Sequence, residues 1–374
     1  MLRLLLRRLG VLLGAAVALT FVVFWLTNLP PNLERIARSE AGTRISEAEV
    51  AGWLERNGYG RPLLVRYGEW LGVLPGWVGM DGDGNPRGRC LRAGDGAGRD
   101  AGPESGPESG PESGPESGPE PAEAPARCGL LQGDWGWSRV FQAEVRDVVA
   151  RGLGHTAKLM AWVLVVMVPS ALLLGVLAGM REGSGLDRAL SGVAVLTAAT
   201  PEYVSGVVLV AVFASSATGL RWFNGSATSA MEDATLANFT LPVLTIALYG
   251  MGYVARMTRA AMAEVMTAPY IRAARLKGLS FRQVVLRHAL RNALIAPFTV
   301  VMLQIPWLLN GVVIVETLFN YKGFGWTLVE AAGNNDIDLL LGVSVVSVVV
   351  VLLTQMASDL GYALLNPRIR LGRG

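Results

Sequence analysis

The chain has 374 residues, 51% of them hydrophobic with its 45 glycines left out of that figure, and only 17% charged. A water-soluble globular chain carries about 25% charged and 45–50% apolar residues with Gly included, which excludes a cytosolic enzyme before any motif is read. The balance of 33 Lys and Arg against 30 Asp and Glu, +3, is too small to suggest nucleic acid, so an all-α polytopic membrane protein is expected, with the lipid bilayer as its surroundings.

A membrane helix needs about 20 mainly apolar residues to cross about 30 Å of hydrocarbon. Leu9 to Asn28 is the first such run and follows Arg3, Arg7 and Arg8. A cleaved signal peptide is the rival reading. The run is long for a signal core, however, and Asn28-Leu29-Pro30-Pro31 is a poor small-residue cleavage site. Residues 1–30 are therefore read as a basic segment and a retained first span.

Residues 31–150 are long and mixed in charge, and are read as an external segment. Between Pro103 and Glu120 they repeat Pro-Glu-Ser-Gly almost without variation. The repeat has no apolar side chain to bury, so a disordered, solvated spacer is expected. Cys90 and Cys128 bracket it on the side of the membrane where disulfides persist. They are expected to pair, which would stabilise by about 4 kcal/mol in the chain-entropy picture; two unrelated thiols are the alternative. Their surroundings do not resemble a zinc site.

Residues 151–374 carry the other five predicted spans. These are Leu159 to Met180 with Pro169 inside, about Ala189 to Leu220 around Pro201-Glu202, Phe239 to Ala255, Ala293 to Val315, and Leu339 to about Ala357. Proline is tolerated within a membrane helix because neighbouring groups can satisfy the freed carbonyl. Short loops rich in Lys and Arg stay in the cytoplasm. The N-terminal arginines, Arg181 and Arg188, the cluster from Arg256 to Arg291, and Arg368, Arg370 and Arg373 all fall on one side of a six-span chain. A multi-pass plasma membrane protein with both termini in the cytoplasm is expected.

Polar residues in lipid are expensive and mark functional sites by default. Glu202, Asn310, Glu316 and Asp359 lie in or near spans. Glu202, Asn310 and Glu316 are candidates for a translocation path or gate, with Glu316 at the outer end of the fifth span. Interhelical hydrogen bonds or interfacial exposure is the plainer reading of each. His155 and His288 read as structural, with no second ligand group placed to make a metal site of either.

The most informative stretch lies in the cytoplasmic loop of about 256–292. It reads Pro269-Tyr270-Ile271-Arg272-Ala273-Ala274-Arg275-Leu276-Lys277-Gly278-Leu279-Ser280, then Arg287-His288-Ala289-Leu290-Arg291-Asn292-Ala293-Leu294. Tyr270 to Lys277 reads as one short helix, Gly278 can stop it in a left-handed conformation, and Ser280 can cap the next helix. A helix, a Gly turn and a helix present a short rigid projection. Ala273 and Ala274 would admit a close partner, and the arginines would pair with its acidic groups. The alternative is a positively charged loop and nothing more.

This loop resembles the EAA-type coupling motif of the membrane permeases of binding-protein-dependent ABC transporters, specifically the dipeptide, oligopeptide and nickel class, with Gly278 at its key glycine. The general motif opens with Glu where this chain has Arg272, a departure common in the subclass. The resemblance extends to Leu63–Leu71, to Gly133-Asp134-Trp135-Gly136-Trp137-Ser138, to Gly311-Val312-Val313-Ile314-Val315-Glu316-Thr317-Leu318-Phe319, to Gly323-Phe324-Gly325, and to Asn366-Pro367-Arg368-Ile369-Arg370. It leaves out about 75–130, which looks like an insertion whose ends should lie close in space. It implies a six-helix importer permease fold and a sister permease alongside. It also implies two P-loop ATPase subunits below and an extracytoplasmic solute-binding protein outside. It assigns ATPase coupling to Tyr270, Arg272, Ala273, Ala274, Lys277, Gly278, Ser280, Arg287 and His288.

No catalytic residue is expected in the chain itself. A Walker A loop needs Gly-Lys followed by Ser or Thr, and Lys158, Lys277 and Lys322 follow Ala, Leu and Tyr. ATP and Mg would be used by the partner subunits, with no cofactor bound here. An ion- or proton-coupled secondary transporter is the rival class, usually signalled by internal repeats; none is evident, and it would leave the loop unexplained. A membrane-embedded enzyme lacks HExxH, paired intramembrane aspartates or a nucleophile elbow.

Overall fold

In the computed structural model residues 2–41, 45–80, 86–88, 90, 127–215 and 220–365 are described, and they are mostly helical. The Pro-Glu-Ser-Gly repeat and residues 366–374, with Arg368, Arg370 and Arg373, lie outside the described residues. So do the side chains of Arg3, Arg7, Arg8, Asn310 and Asp359. The chain divides into two compact units, Met1–Val148 with Ala331–Val345, and Val149–Glu330 with Val346–Gly374.

The first unit begins with α1 (Leu2–Thr27). That helix stops where Asn28 folds back and donates from Nδ2 to the Phe24 carbonyl at 2.8 Å. Pro30 then opens α2 (Pro30–Ala41) at the position where a missing N–H is harmless. Ser46 and Glu49 form a reciprocal cap for α3 (Glu47–Arg56). The left-handed Gly72, φ +83°, closes α4 (Leu63–Leu71). Tyr67 and Trp70 of α4 pack with Phe24 and Leu341, and the Tyr67 and Thr20 hydroxyls share a 2.8 Å hydrogen bond. The buried Glu69 is paired with Arg61. Two short antiparallel ladders follow, β1 (Val78–Met80) with β2 (Pro86–Gly88) and β3 (Trp137–Ser138) with β4 (Ala143–Glu144). A disulfide joins Cys90 to Cys128, with the Cα atoms 5.4 Å apart.

The remaining helices are α5 (Val145–Gly179), α6 (Gly185–Ala199), α7 (Glu202–Phe213), α8 (Leu236–Thr267), α9 (Pro269–Leu276), α10 (Phe281–Gln283), α11 (Leu290–Ala293), α12 (Ile295–Leu318), α13 (Phe324–Gly333) and α14 (Ile337–Leu365). In the second unit α8 packs against α6, α7 and α12. Its apolar side chains Leu241 and Ile246 meet Leu159 and Met167 of α5 and Leu308 and Val315 of α12.

Three helices are each long and apolar enough to span a bilayer, namely Val145–Gly179, Leu236–Thr267 and Ile337–Ser358. Three bent pairs pass the same criterion together, giving up to six spans among the described residues. One of these corrects the sequence reading. The apolar run from about Ala189 to Leu220 is not one helix but α6 and α7, bent by 107°. Thr200, ahead of a proline, is extended at ψ 119°, and Pro201 has no N–H to continue the ladder. With 15 and 12 residues, the halves rise about 22 and 18 Å, so neither crosses alone. The other two bends, 56° between Leu13–Thr27 and Pro30–Ser39 and 46° between Phe281–Ala293 and Ile295–Gln304, are milder.

Candidate functional site

The segment after α8 is built by local rules. Ala268 is extended and Pro269 occupies the first turn of α9. Ile271 and Ala274, three apart, turn inward onto Met262, Val284, Val285, Ala289 and Ala293. The other face presents Arg272, Ala273, Arg275 and Leu276 to solvent. Of the two alanines expected to admit a partner, only Ala273 is exposed; Ala274 is consumed by the chain's own packing.

α9 ends in a Schellman turn. Gly278 N–H donates to the Arg275 carbonyl at 3.0 Å and Leu279 N–H to the Ala274 carbonyl at 3.4 Å, with Gly278 at φ +79°. No atom lies within 4 Å of where a Gly278 Cβ would sit, so the glycine is required by backbone conformation and not by crowding. Ser280 then caps α10 reciprocally: its N–H donates to Gln283 Oε1 at 3.1 Å, and Gln283 N–H donates to Ser280 Oγ at 3.4 Å. A π-helical turn, Val284–Ala289, joins α10 to α11 and sets Val284, Val285 and Ala289 together on the inner face.

Two residues, one in this segment and one on α6, carry weight that the sequence does not show. Asn292 donates from Nδ2 to the Tyr270 hydroxyl at 2.9 Å, tying the start of α9 to α11. Asp187, at the start of α6, takes Arg259 in a bidentate ion pair, so Arg259 is more than one charge of a basic loop. Around the projection Leu276 is 84% and Leu286 67% exposed, among the exposed Arg272, Arg275, Lys277, Arg282 and Arg287. An exposed leucine between two cations, Arg275 and Lys277, suits an acidic-rimmed apolar partner surface. His288 is half-buried on the same segment. Among the described residues no three His, Cys, Asp or Glu are grouped to hold a metal ion.

Glu316, 0% exposed, is the centre of a second constellation. Thr156 donates its hydroxyl to Oε1, and Trp326 N–H donates to Oε2 at 2.9 Å. Thr156 Oγ1 in turn accepts from Phe324 N–H at 2.8 Å. The carboxylate therefore sits at the N-terminus of α13, where backbone N–H groups and the helix dipole favour it. Glycine at 323 and 325 follows from this. A Cβ at Gly323 would lie 2.1 Å from Glu316 Oε1, and one at Gly325 would lie 2.7 Å from Val313 Cα. Tyr321, buried in the turn between α12 and α13, donates its hydroxyl to the His155 carbonyl at 3.0 Å. Burial, and then the neighbouring Glu316, push its phenol well above the ordinary range.

Glu202 is half-buried as the first residue of α7, just beyond the 107° break. Asn310 lies on α12, and its side chain is outside the described residues. The structure thus gathers the 268–293 residues into one projection and joins Glu316 to Thr156 and α13. Glu202 belongs to neither group.

Residues 171–371, more than half of the chain, match the family described as binding-protein-dependent transport system inner membrane component. The dipeptide transport system permease protein of Bacillus subtilis (strain 168) is 34% identical over 61% of this chain and 71% of its own length. The dipeptide transport system permease protein of Haemophilus influenzae is 30% identical over 64% of this chain and 78% of its own. The oligopeptide transport system permease protein of Bacillus subtilis is 29% identical over 64% and 77% respectively.

Proposed function

The chain belongs to the binding-protein-dependent transport system inner membrane components, and from that membership we propose that it is one of two permease subunits of an ATP-driven importer of short peptides. The observation that carries this reading furthest is the capped, glycine-turned projection at 268–293 with Leu276 left bare between Arg275 and Lys277. A separate ATPase subunit would grip that surface, with an apolar pocket for the leucine and carboxylates for the cations. Two such subunits would use ATP and Mg, a sister permease would complete the pore, and an external binding protein would deliver the solute. The relatives named for dipeptide and oligopeptide transport motivate the choice of peptides.

In this reading residues 151–374 are the core permease domain, 1–30 anchor the N-terminus, and 31–150 lie outside; both termini face the cytoplasm. Nucleotide-driven approach of the ATPases moves the projection and shifts the pore between two access states, each favoured by its own contacts. Glu316 serves as an anchor of the outer gate, because its oxygens hold the turn that begins α13.

The test is reconstitution. The chain is purified with its partners, and ATP-dependent uptake of a labelled dipeptide mixture is measured in proteoliposomes with and without the ATPase subunits. Uptake is expected to need both ATP and those subunits. Uptake that persists without them, or proteolysis of 268–293 from the outer face of sealed cells, overturns the reading.

A further inference from the structure

On successive turns α8 grips three different parts of the second unit. Near its middle, Gly252 lies against α6 so closely that a Cβ would stand 2.4 Å from the Ala194 carbonyl oxygen and 2.5 Å from Thr197 Oγ1. One turn on, Thr258 and the Ala255 carbonyl occupy the space beside Gly175 of α5, at 2.3 and 2.5 Å from a Cβ placed there. Another turn on, Met262 and the Arg259 carbonyl do the same at Gly179, at 2.5 and 2.6 Å. Met262 is also the floor on which Ile271, Ala274, Val284 and Val285 of the projection rest.

Between these contacts lies a carboxylate that is 2% exposed. Asp187 Oδ1 accepts from Arg259 Nε at 2.6 Å and from Ser191 Oγ at 3.1 Å. Its Oδ2 accepts from Arg259 Nη2 at 2.8 Å and from the Gly183 N–H in the turn before α6 at 2.9 Å. Glu182 stands 3.9 Å from the same guanidinium. A planar guanidinium held along one edge by both carboxylate oxygens fixes orientation as well as distance. Small-residue contacts set how near two helices come; they do not stop one sliding or turning along the other. The fork supplies that missing constraint.

Resting on the coupled-transport reading above, we propose that Asp187 and Arg259 are positioning residues: their ion pair locks α6 to α8, so that the projection at 268–293 and α6 move as one rigid body. Motion imposed at Leu276 then arrives undiminished at Thr200–Pro201, where the chain turns by 107° into α7. Without the fork the projection could shift while α6 stayed behind. Substitution of Arg259 also strands the buried Asp187 carboxylate, which favours a displaced α6.

Spin labels on Arg291→Cys, on the projection, and Leu196→Cys, both exposed in the native chain, test this in the assembled complex with the Cys90–Cys128 disulfide left intact. Pulsed distance measurements are made without nucleotide and after trapping with ATP and vanadate. With the native pair, the distance is expected to stay the same in both states. With Asp187→Asn, it is expected to broaden or move by more than about 2 Å, the size of ordinary interface helix shifts. Arg259→Lys, which keeps the charge and loses the fork, should fall between and covers the case in which Asp187→Asn does not assemble. An unchanged, narrow distance in the assembled variants overturns the proposal, as does a native distance that changes on trapping. The coupling reading is tested separately by the mobility of the single Leu276→Cys label. Mobility unaltered by excess ATPase subunits sinks that reading whatever the 196–291 distance does.

Discussion

Gly278 offers a test in which backbone conformation is the only variable. Its φ is +79° and a Cβ would meet nothing within 4 Å. Any loss of the turn on substitution therefore comes, within this chain, from placing an L-residue in left-handed space, which costs about 1–2 kcal/mol, with Asn the best tolerated. That energy is a factor of about 5–30 in the population of the native turn. The Schellman bonds from Gly278 and Leu279 to Arg275 and Ala274 are lost whenever the turn relaxes. ATP-driven uptake, measured at equal membrane content, should therefore rank Gly above Asn above Ala above Val. Gly278→Pro should abolish uptake, because its φ is fixed near −65°. Capture of solute by the external binding protein should be unaffected throughout. A Val variant equal to the native chain, or an Asn variant below Ala, would refute the argument that this turn must be left-handed for coupling.

Glu316→Ala removes the acceptor for the Thr156 hydroxyl and the Trp326 N–H in a site closed to water, at about 1–3 kcal/mol for each unsatisfied group; Glu316→Gln keeps one acceptor. Thermal unfolding in detergent should order them native, Gln, Ala, and equal stability of native and Ala would contradict the capping role. Leu276→Ser should leave the chain's own unfolding within about 0.5 kcal/mol and weaken ATPase association by roughly 10- to 100-fold, from the loss of about 1.5–3 kcal/mol of apolar burial; unchanged co-elution and affinity would show that no partner covers it. Thiol labelling should find Cys90 and Cys128 blocked until reductant is added. The 38-residue separation gives the closed loop about 4 kcal/mol in the chain-entropy picture, and full labelling without reductant would remove that contribution.

What could be read from the sequence was what local chemistry decides. Apolar length marks a span, so the runs around Phe239 and Leu339 fall within α8 and α14. Glycine after a short basic helix and Ser280 three residues before Gln283 are signals carried within a few residues, and the turn and cap occur where they stand. Proline at 201 was ambiguous, because the same residue lies inside α5 as Pro169 and inside α8 as Pro242 without ending either helix. Packing decides which prolines break, and packing is not local. The same holds for Asp187 with Arg259, 72 residues apart, and Thr156 with Glu316, 160 apart. The π-helical turn at Val284–Ala289 carries no compositional mark. The inward turn of Ala274 could have been read, since it stands three residues after Ile271 on one helical face.

A basic loop can owe its charge to topology alone, for arginines hold a loop in the cytoplasm whether or not it has a shape. That account explains the cations here and nothing else. It does not require a left-handed turn at Gly278, a reciprocal cap at Ser280, or a Tyr270–Asn292 clasp joining the two arms. Ordering backbone costs about 1–2 kcal/mol per residue, and a charge anchor functions equally well unordered. Nor does topology require the bare Leu276 at the end of α9. The inward residues Ile271, Ala274, Val284 and Val285 already satisfy the segment's need for a core, so the outward Leu276 is surplus to folding. In the proposed reading it is surface reserved for a second protein, and the fixed turn is the means by which that protein's movement is transmitted instead of absorbed.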